Sequence, residues 1–178
     1  MKIVMPAVLA IGLAGCANSG QVADGGAKLP AAESSPAFLD RSSSVENVSE
    51  NDGLRGVLML LDGKDDAGDF QQRVESLRSR GIVPAGWDFD AARPLSRGRL
   101  AYMVYQACKL RGGVIVTLSG PSERYCLREL QYIGMIGRGA TYSPVSGMEY
   151  VAVLSRADGY LQTGKIPETS NAITGQQP

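Results

Sequence analysis

Three groups of residues in this chain could do chemistry: its cysteines, a run of aspartates, and arginines placed beside aromatic residues. The cysteines are Cys16, Cys108 and Cys126, and there is no histidine anywhere. Losing histidine removes the commonest general base and the commonest metal ligand, and with them most nucleophilic triads. Ser122, in Gly120-Pro121-Ser122-Glu123, therefore has no base to activate it and reads as a helix start. Asp62, Asp65, Asp66 and Asp69 sit in an acidic loop that has the look of a calcium loop. Lys64 occupies a place where a ligand belongs, and no acid follows in register at the twelfth position, so the loop reads as a solvated turn between helices. Two cysteines without histidine make a poor zinc site. We expect no enzyme, no metal and no cofactor. In an oxidising compartment Cys108 and Cys126 would close a loop of about 18 residues, worth roughly 3 kcal/mol. The alternative is two buried thiols acting as small apolar groups.

Cys16 is a different case. Lys2 leads a short apolar run that ends in Leu13-Ala14-Gly15-Cys16. The run falls short of the ~20 apolar residues a membrane-spanning helix needs, and has the size and flanks of a cleaved signal. Leu13-Ala14-Gly15-Cys16 resembles the lipobox of bacterial lipoproteins. That resemblance implies a signal peptide over residues 1–15 and lipid on the Cys16 thiol. Two or three acyl chains would make the attachment stable where one is marginal. The expected location is the cell envelope, lipid-anchored to a membrane. In a diderm cell that would be the outer membrane or the periplasmic face, a preference that Ala17 after the cysteine resembles in some lineages.

The remaining chain, about 160 residues, suffices for one domain. Its charges nearly balance, so nothing points to nucleic acid. Residues 16–47 are rich in Ser, Ala, Gly, Asn and Glu, and their scattered apolar residues have no period. This composition reads as a disordered tether with a reach of roughly 30 Å. Residues 163–178 read as a flexible tail.

Between them, residues 48–162 carry helical stripes. Leu54, Val57, Leu58 and Leu61 form one, and Phe70, Val74 and Leu77 a second that ends at Gly81. Leu100, Met103, Val104, Ala107 and Cys108 form a third, stopped by Gly112-Gly113. Cys126, Leu130 and Ile133 give a fourth, before Gly134; Tyr150, Val153, Leu154, Ala157 and Leu161 give a fifth. Only Val114-Ile115-Val116-Thr117-Leu118 breaks the helical pattern, as a short strand or a buried connector. The fold is expected to be mainly α.

The segments also match one another. Leu77 to Val83 aligns with Leu130 to Ile136, and Pro94 to Leu100 aligns with Pro144 to Tyr150 through Leu95 and Val145. A half-length copy begins at Val48-Ser49. Ser49, Ser96 and Ser146, spaced by about fifty residues, each precede a helical run and are expected to cap it, at about 1 kcal/mol each. Glu149, three after Ser146, is expected to close a capping box, and Asp52 approximates the same arrangement. Arg99 stands where an acid is favoured near a helix N-terminus, which implies that it has a partner elsewhere.

These motifs resemble the S-layer homology (SLH) domain. Gly81-Ile82-Val83, Trp87-Asp88-Phe89-Asp90, Pro94 and Leu95-Ser96-Arg97-Gly98-Arg99-Leu100-Ala101 follow its order in one copy. Val145-Ser146-Gly147-Met148-Glu149-Tyr150 follows it in the next. The first copy has Arg99 in place of the motif's acid, and the second has Gly147 in place of its arginine. The resemblance implies two SLH-like helix-loop-helix repeats, or two and a half, packed as a small bundle. It also implies non-covalent binding of cell-wall polysaccharide or peptidoglycan, with Trp87 as a stacking surface and Arg97, Arg99 and Arg138 as anion contacts. Each has a plainer reading: Trp87 as a core plug, Arg97 as a solvated helix-start residue, and Arg138 as part of a turn. The competing function is a scaffold that binds envelope proteins through Tyr102, Tyr105, Tyr125, Tyr132, Tyr150 and Tyr160.

Overall fold

The computed structural model describes residues 35–111 and 118–165. Among the described residues the fold is mainly α, with helices α1 (Ser35–Ser43), α2 (Glu50–Asp62), α3 (Phe70–Ser79), α4 (Arg97–Ala107), α5 (Glu123–Tyr132) and α6 (Gly147–Thr163). Cys16, the signal segment and most of the expected tether lie outside the described residues. So do residues 112–117, which hold most of the Val114–Leu118 run, and the tail beyond Lys165.

The helix starts follow from local chemistry. Ser49, Ser96 and Ser146 sit before α2, α4 and α6 with extended backbone, and each accepts the amide of the third helical residue: Asp52, Arg99 and Glu149. Asp69 does the same for α3, and Ser122 for α5. One otherwise unpaired first-turn donor is satisfied at each. Ser49 also donates its hydroxyl proton to the Asp52 carboxylate, at 2.9 Å.

The three segments leading into α2, α4 and α6 meet at the centre. The Val48 amide donates to the Val145 carbonyl (2.9 Å), the Val145 amide to the Leu95 carbonyl (3.0 Å), and the Leu95 amide to the Val48 carbonyl (2.8 Å). The ring is closed, and all three side chains are fully buried. A second tier two residues on runs round the ring in the opposite sense: the Glu50 amide donates to the Arg93 carbonyl, that of Arg97 to Ser143, and that of Gly147 to Val45. The helices outside the ring follow the same cyclic order, with α3 packed on α2, α5 on α4 and α1 on α6.

The expected stripes form the core. Leu54, Val57, Val74, Leu77, Leu100, Met103, Val104, Leu130, Tyr150, Val153 and Ala157 are all buried in one cluster. Leu161, at the end of the last stripe, is exposed. Tyr150 is fully buried and donates its hydroxyl proton to the Asp52 carbonyl (2.7 Å), which ties α6 to α2.

Two expectations are corrected. The tether does not extend to residue 47, because α1 lies inside that span and packs on α6. Phe38 is fully buried, with the Arg55 guanidinium 4.9 Å from its ring. Gly147 allows the close approach: a Cβ there would fall 2.0 Å from the Ser42 carbonyl oxygen. The second correction concerns Cys108 and Cys126, which are free, buried thiols and not a disulfide. Both are core residues, and burial pushes their thiols up to about 11 and about 12. They stay protonated at neutral pH and behave as small apolar groups.

If α1 is part of the folded unit, Phe38→Ala opens a cavity and lowers stability by about 3–5 kcal/mol. Urea unfolding followed by tryptophan fluorescence measures this, and a residue on a loose tether would leave the midpoint unmoved.

Candidate functional site

The first cleft of the ring lies between the start of α2 and the loop that precedes α4. Glu50, the first residue of α2, has a side chain only 1% exposed. Its carboxylate accepts Arg93 Nε (2.9 Å) and Nη2 (3.0 Å), Arg99 Nη1 (2.5 Å) and the Asp90 amide (2.9 Å). Arg93 also reaches the Asp88 carboxylate (3.3 Å) and the Asp88 carbonyl, and Arg99 donates to that carbonyl at 2.8 Å. Two guanidinium groups thus meet two carboxylates, and the net charge of the cluster is zero. Charge-assisted, partly bidentate bonds of this kind are the strong ones. Arg99 has found the partner that its odd place in the first turn of α4 implied.

Arg99 is also a platform. Its guanidinium carbon lies 5.0 Å from the Trp87 ring centroid and 5.1 Å from that of Phe89. Trp87 meets Phe89 edge-on at 5.8 Å and Tyr102 at 5.0 Å. Half-buried, Trp87 is held by these neighbours while part of its ring faces a groove of about 520 Å³. The groove runs between the loop after α3, helix α4, the start of α5 and the loop before α6. Trp87 and Tyr142 supply aromatic surface, Tyr102 backs Trp87 from the core, and Ser122, Glu123, Arg124 and Thr141 supply polar groups. Tyr142 is 87% exposed. Burial raises the Glu123 carboxyl above its ordinary range, opposed by the charge of Arg99.

Arg97 lies in the next cleft of the ring. It donates to the carbonyls of Gly137 (3.3 Å) and Arg138 (2.7 Å), and its Nη2 pairs with Glu149 at 2.7 Å. This corrects the capping-box expectation for Glu149: its amide is capped by Ser146, but its carboxylate turns to Arg97. Burial raises that carboxyl too, and Arg97 opposes the shift. Of the four expected ligand contacts, the structure brings Trp87 and Arg99 together. It holds Arg97 in a separate contact, and it uses the backbone of the exposed residue Arg138 to orient Arg97.

Several groove and network residues had no sequence signal of their own. Glu50 reads as an ordinary acid after a capping serine, and Tyr142 as a loop residue. Pairing Glu50 with Arg93 takes a contact 43 positions apart. The acidic loop is divided among cations: Asp62 with Arg80, Asp66 with Lys64, and the buried Asp65 with Arg73 at 2.8 Å. Among the described residues no three acids or thiols converge on a common point.

Comparison with protein-family models, with curated proteins and with solved structures finds no match for this chain.

Removing the Glu50 charge leaves two guanidinium groups facing a buried, uncompensated site. Glu50→Gln is expected to cost about 3–5 kcal/mol in denaturant unfolding, the range for breaking a buried pair from one side. Glu123 acts in the opposite sense. Its folded-state carboxyl is raised, so it adds stability while protonated and loses that contribution as pH rises through the raised range. Glu123→Gln should flatten the stability profile upward from about pH 4 and be no less stable than the parent at neutral pH. Melting temperatures measured across that range check this.

Proposed function

We propose that this chain is a membrane-anchored envelope lipoprotein whose helical domain binds cell-wall glycan or peptidoglycan non-covalently. The observation that carries the reading is the groove faced by Trp87 and Tyr142, with the buried Tyr102 packed against Trp87. A sugar ring has an apolar face and a rim of hydroxyls. Aromatic rings cover the face, and mixed donors and acceptors serve the rim. Glu123, Arg124, Ser122 and Thr141 stand at such places in the groove. One acid and one base keep it close to neutral, which suits a hydroxyl-rich ligand better than a polyanion. The Leu13-Ala14-Gly15-Cys16 sequence supports the anchored part of the reading, through lipid on Cys16.

This differs in detail from a site built on arginine and anion contacts. Arg99 acts from behind Trp87, through the ring it supports, and Arg97 orders the loop before α6. A second reading, a scaffold for envelope proteins, is favoured by Tyr132 and Met148, which are 89% and 76% exposed. Of the tyrosines expected to serve it, Tyr102, Tyr105 and Tyr150 are buried.

Full-length protein in detergent is expected to sediment with purified sacculi at low salt. Tyr142→Ala should weaken binding about tenfold, equivalent to roughly 1.4 kcal/mol, whereas Gln71→Ala, on the exposed side of α3, should not. Failure of the parent protein to sediment, together with a stoichiometric protein partner on co-purification, would select the scaffold reading. Separately, Cys16→Ser should move the protein out of the membrane fraction.

A further inference from the structure

Helices α3, α4 and α5 end in the same way, and one of the three ends breaks a backbone rule. After α3, the Gly81 amide bonds to the Arg78 carbonyl and the Ile82 amide to that of Leu77. After α5, Gly134 and Met135 repeat the pattern onto Gln131 and Leu130. Such an end places one residue in the left-handed region, and glycine takes it without steric cost. Gly81 and Gly134 do so at φ 69° and 75°. After α4 the bonds are the same, with Lys109 to Gln106 and Leu110 to Tyr105, but the left-handed residue is Lys109 at φ 48°. It is the one residue other than glycine with positive φ among the described residues. A side chain held in a disfavoured conformation, where the same molecule twice uses glycine, points to a use for that side chain.

Lys109 lines a second cavity, of about 320 Å³, between the end of α4, helix α5 and helix α6. That volume is at the small end of ligand sites, which span roughly 300–1,000 Å³. Arg111 lines it as well, and neither cation forms an ion pair among the described residues. Glu129 brings one acid, Tyr105 and Tyr160 bring rings, and Leu110 is part of the apolar lining. Both cavities draw lining residues from α4 and α5: Tyr102 and Glu123 in the first, Tyr105 and Glu129 in the second.

We propose that this cavity is a second binding site, which takes the free carboxylate end of a short peptide. Lys109 and Arg111 receive the carboxylate, Glu129 receives an amine, and the apolar lining takes small side chains between them. Two cations against one acid favour a ligand with one more negative than positive charge. Beside a groove for wall glycan, the fitting occupant is the peptide carried by that glycan; this choice of peptide rests on the proposed function.

The test is isothermal titration of full-length protein in detergent with three probes: a synthetic wall stem tetrapeptide, its C-terminal amide, and the wall disaccharide without peptide. The free acid should bind at least tenfold more tightly than the amide, and more weakly as salt rises. Lys109→Gly should abolish the preference for the acid and raise the melting temperature, because the strain is relieved as the contact is lost. Lys109→Arg should retain the preference. Equal binding of acid and amide, absence of peptide binding, or a Lys109→Gly variant that keeps the preference would each overturn the proposal. Disaccharide binding reads the first groove alone. If it fails while the peptide still binds through Lys109, the glycan reading falls and the carboxylate site stands.

Discussion

A peptide group taken out of water must find a partner, and at the centre of this molecule three of them find one another. Val48, Leu95 and Val145 are fully buried, and each gives its amide to one neighbour and its carbonyl to the other. An extended segment normally leaves an open edge that asks for another strand. Here three short segments close on themselves, so there is no edge at this point. The capping serines follow from the same constraint. One residue after each ring position the chain must stay extended and then turn into a helix, and a serine there satisfies the first-turn amides. The ring therefore sets where α2, α4 and α6 begin and how they radiate.

Each cleft between neighbouring segments has its own chemistry. One holds the Glu50 carboxylate with Arg93 and Arg99; the next holds Arg97 against the 137–138 carbonyls and Glu149; the last is filled by the end of α1 and the residues just after it, against Gly147. Buried charge is costly unless paired and hydrogen-bonded, and the first cleft meets both conditions. That pairing also decides what the neighbouring groove presents. With Arg99 engaged by Glu50 and the Asp88 carbonyl, its remaining influence is on the ring of Trp87, and the groove offers aromatic faces more than free cations.

Helices with long apolar periods were legible in the sequence, and so were the serines that start them. Those features depend on spacing within one segment, where the physics is local. What escaped depends on contacts across the ring. Helix α1 offers Phe38 and Leu39 in a polar stretch, which has no period to detect, and Phe38 becomes a core residue only because α6 supplies a surface for it. The role of Glu50 is set by Arg93 and Arg99 on another element. Glu149 could have bonded back to its own cap, but Arg97 offers a full charge in place of one amide. The groove draws its lining from four segments, so no one stretch of sequence announced it. Of the residues expected to contact an anion, Trp87 and Arg99 lie together, with Arg99 engaged by Glu50, and Arg97 and Arg138 lie in another cleft.

The packing of α1 on α6 has a kinetic meaning. It joins the first described helix to the last, and the Tyr150 hydroxyl reaches the Asp52 carbonyl across 98 positions. Contacts this distant in sequence close slowly, because the loop entropy is lost before the contact energy is gained. An incomplete chain that stops short of Val145 can form its early helices but cannot shut the ring. Closure of the ring therefore waits on the segment that carries Val145, whose amide and carbonyl complete it.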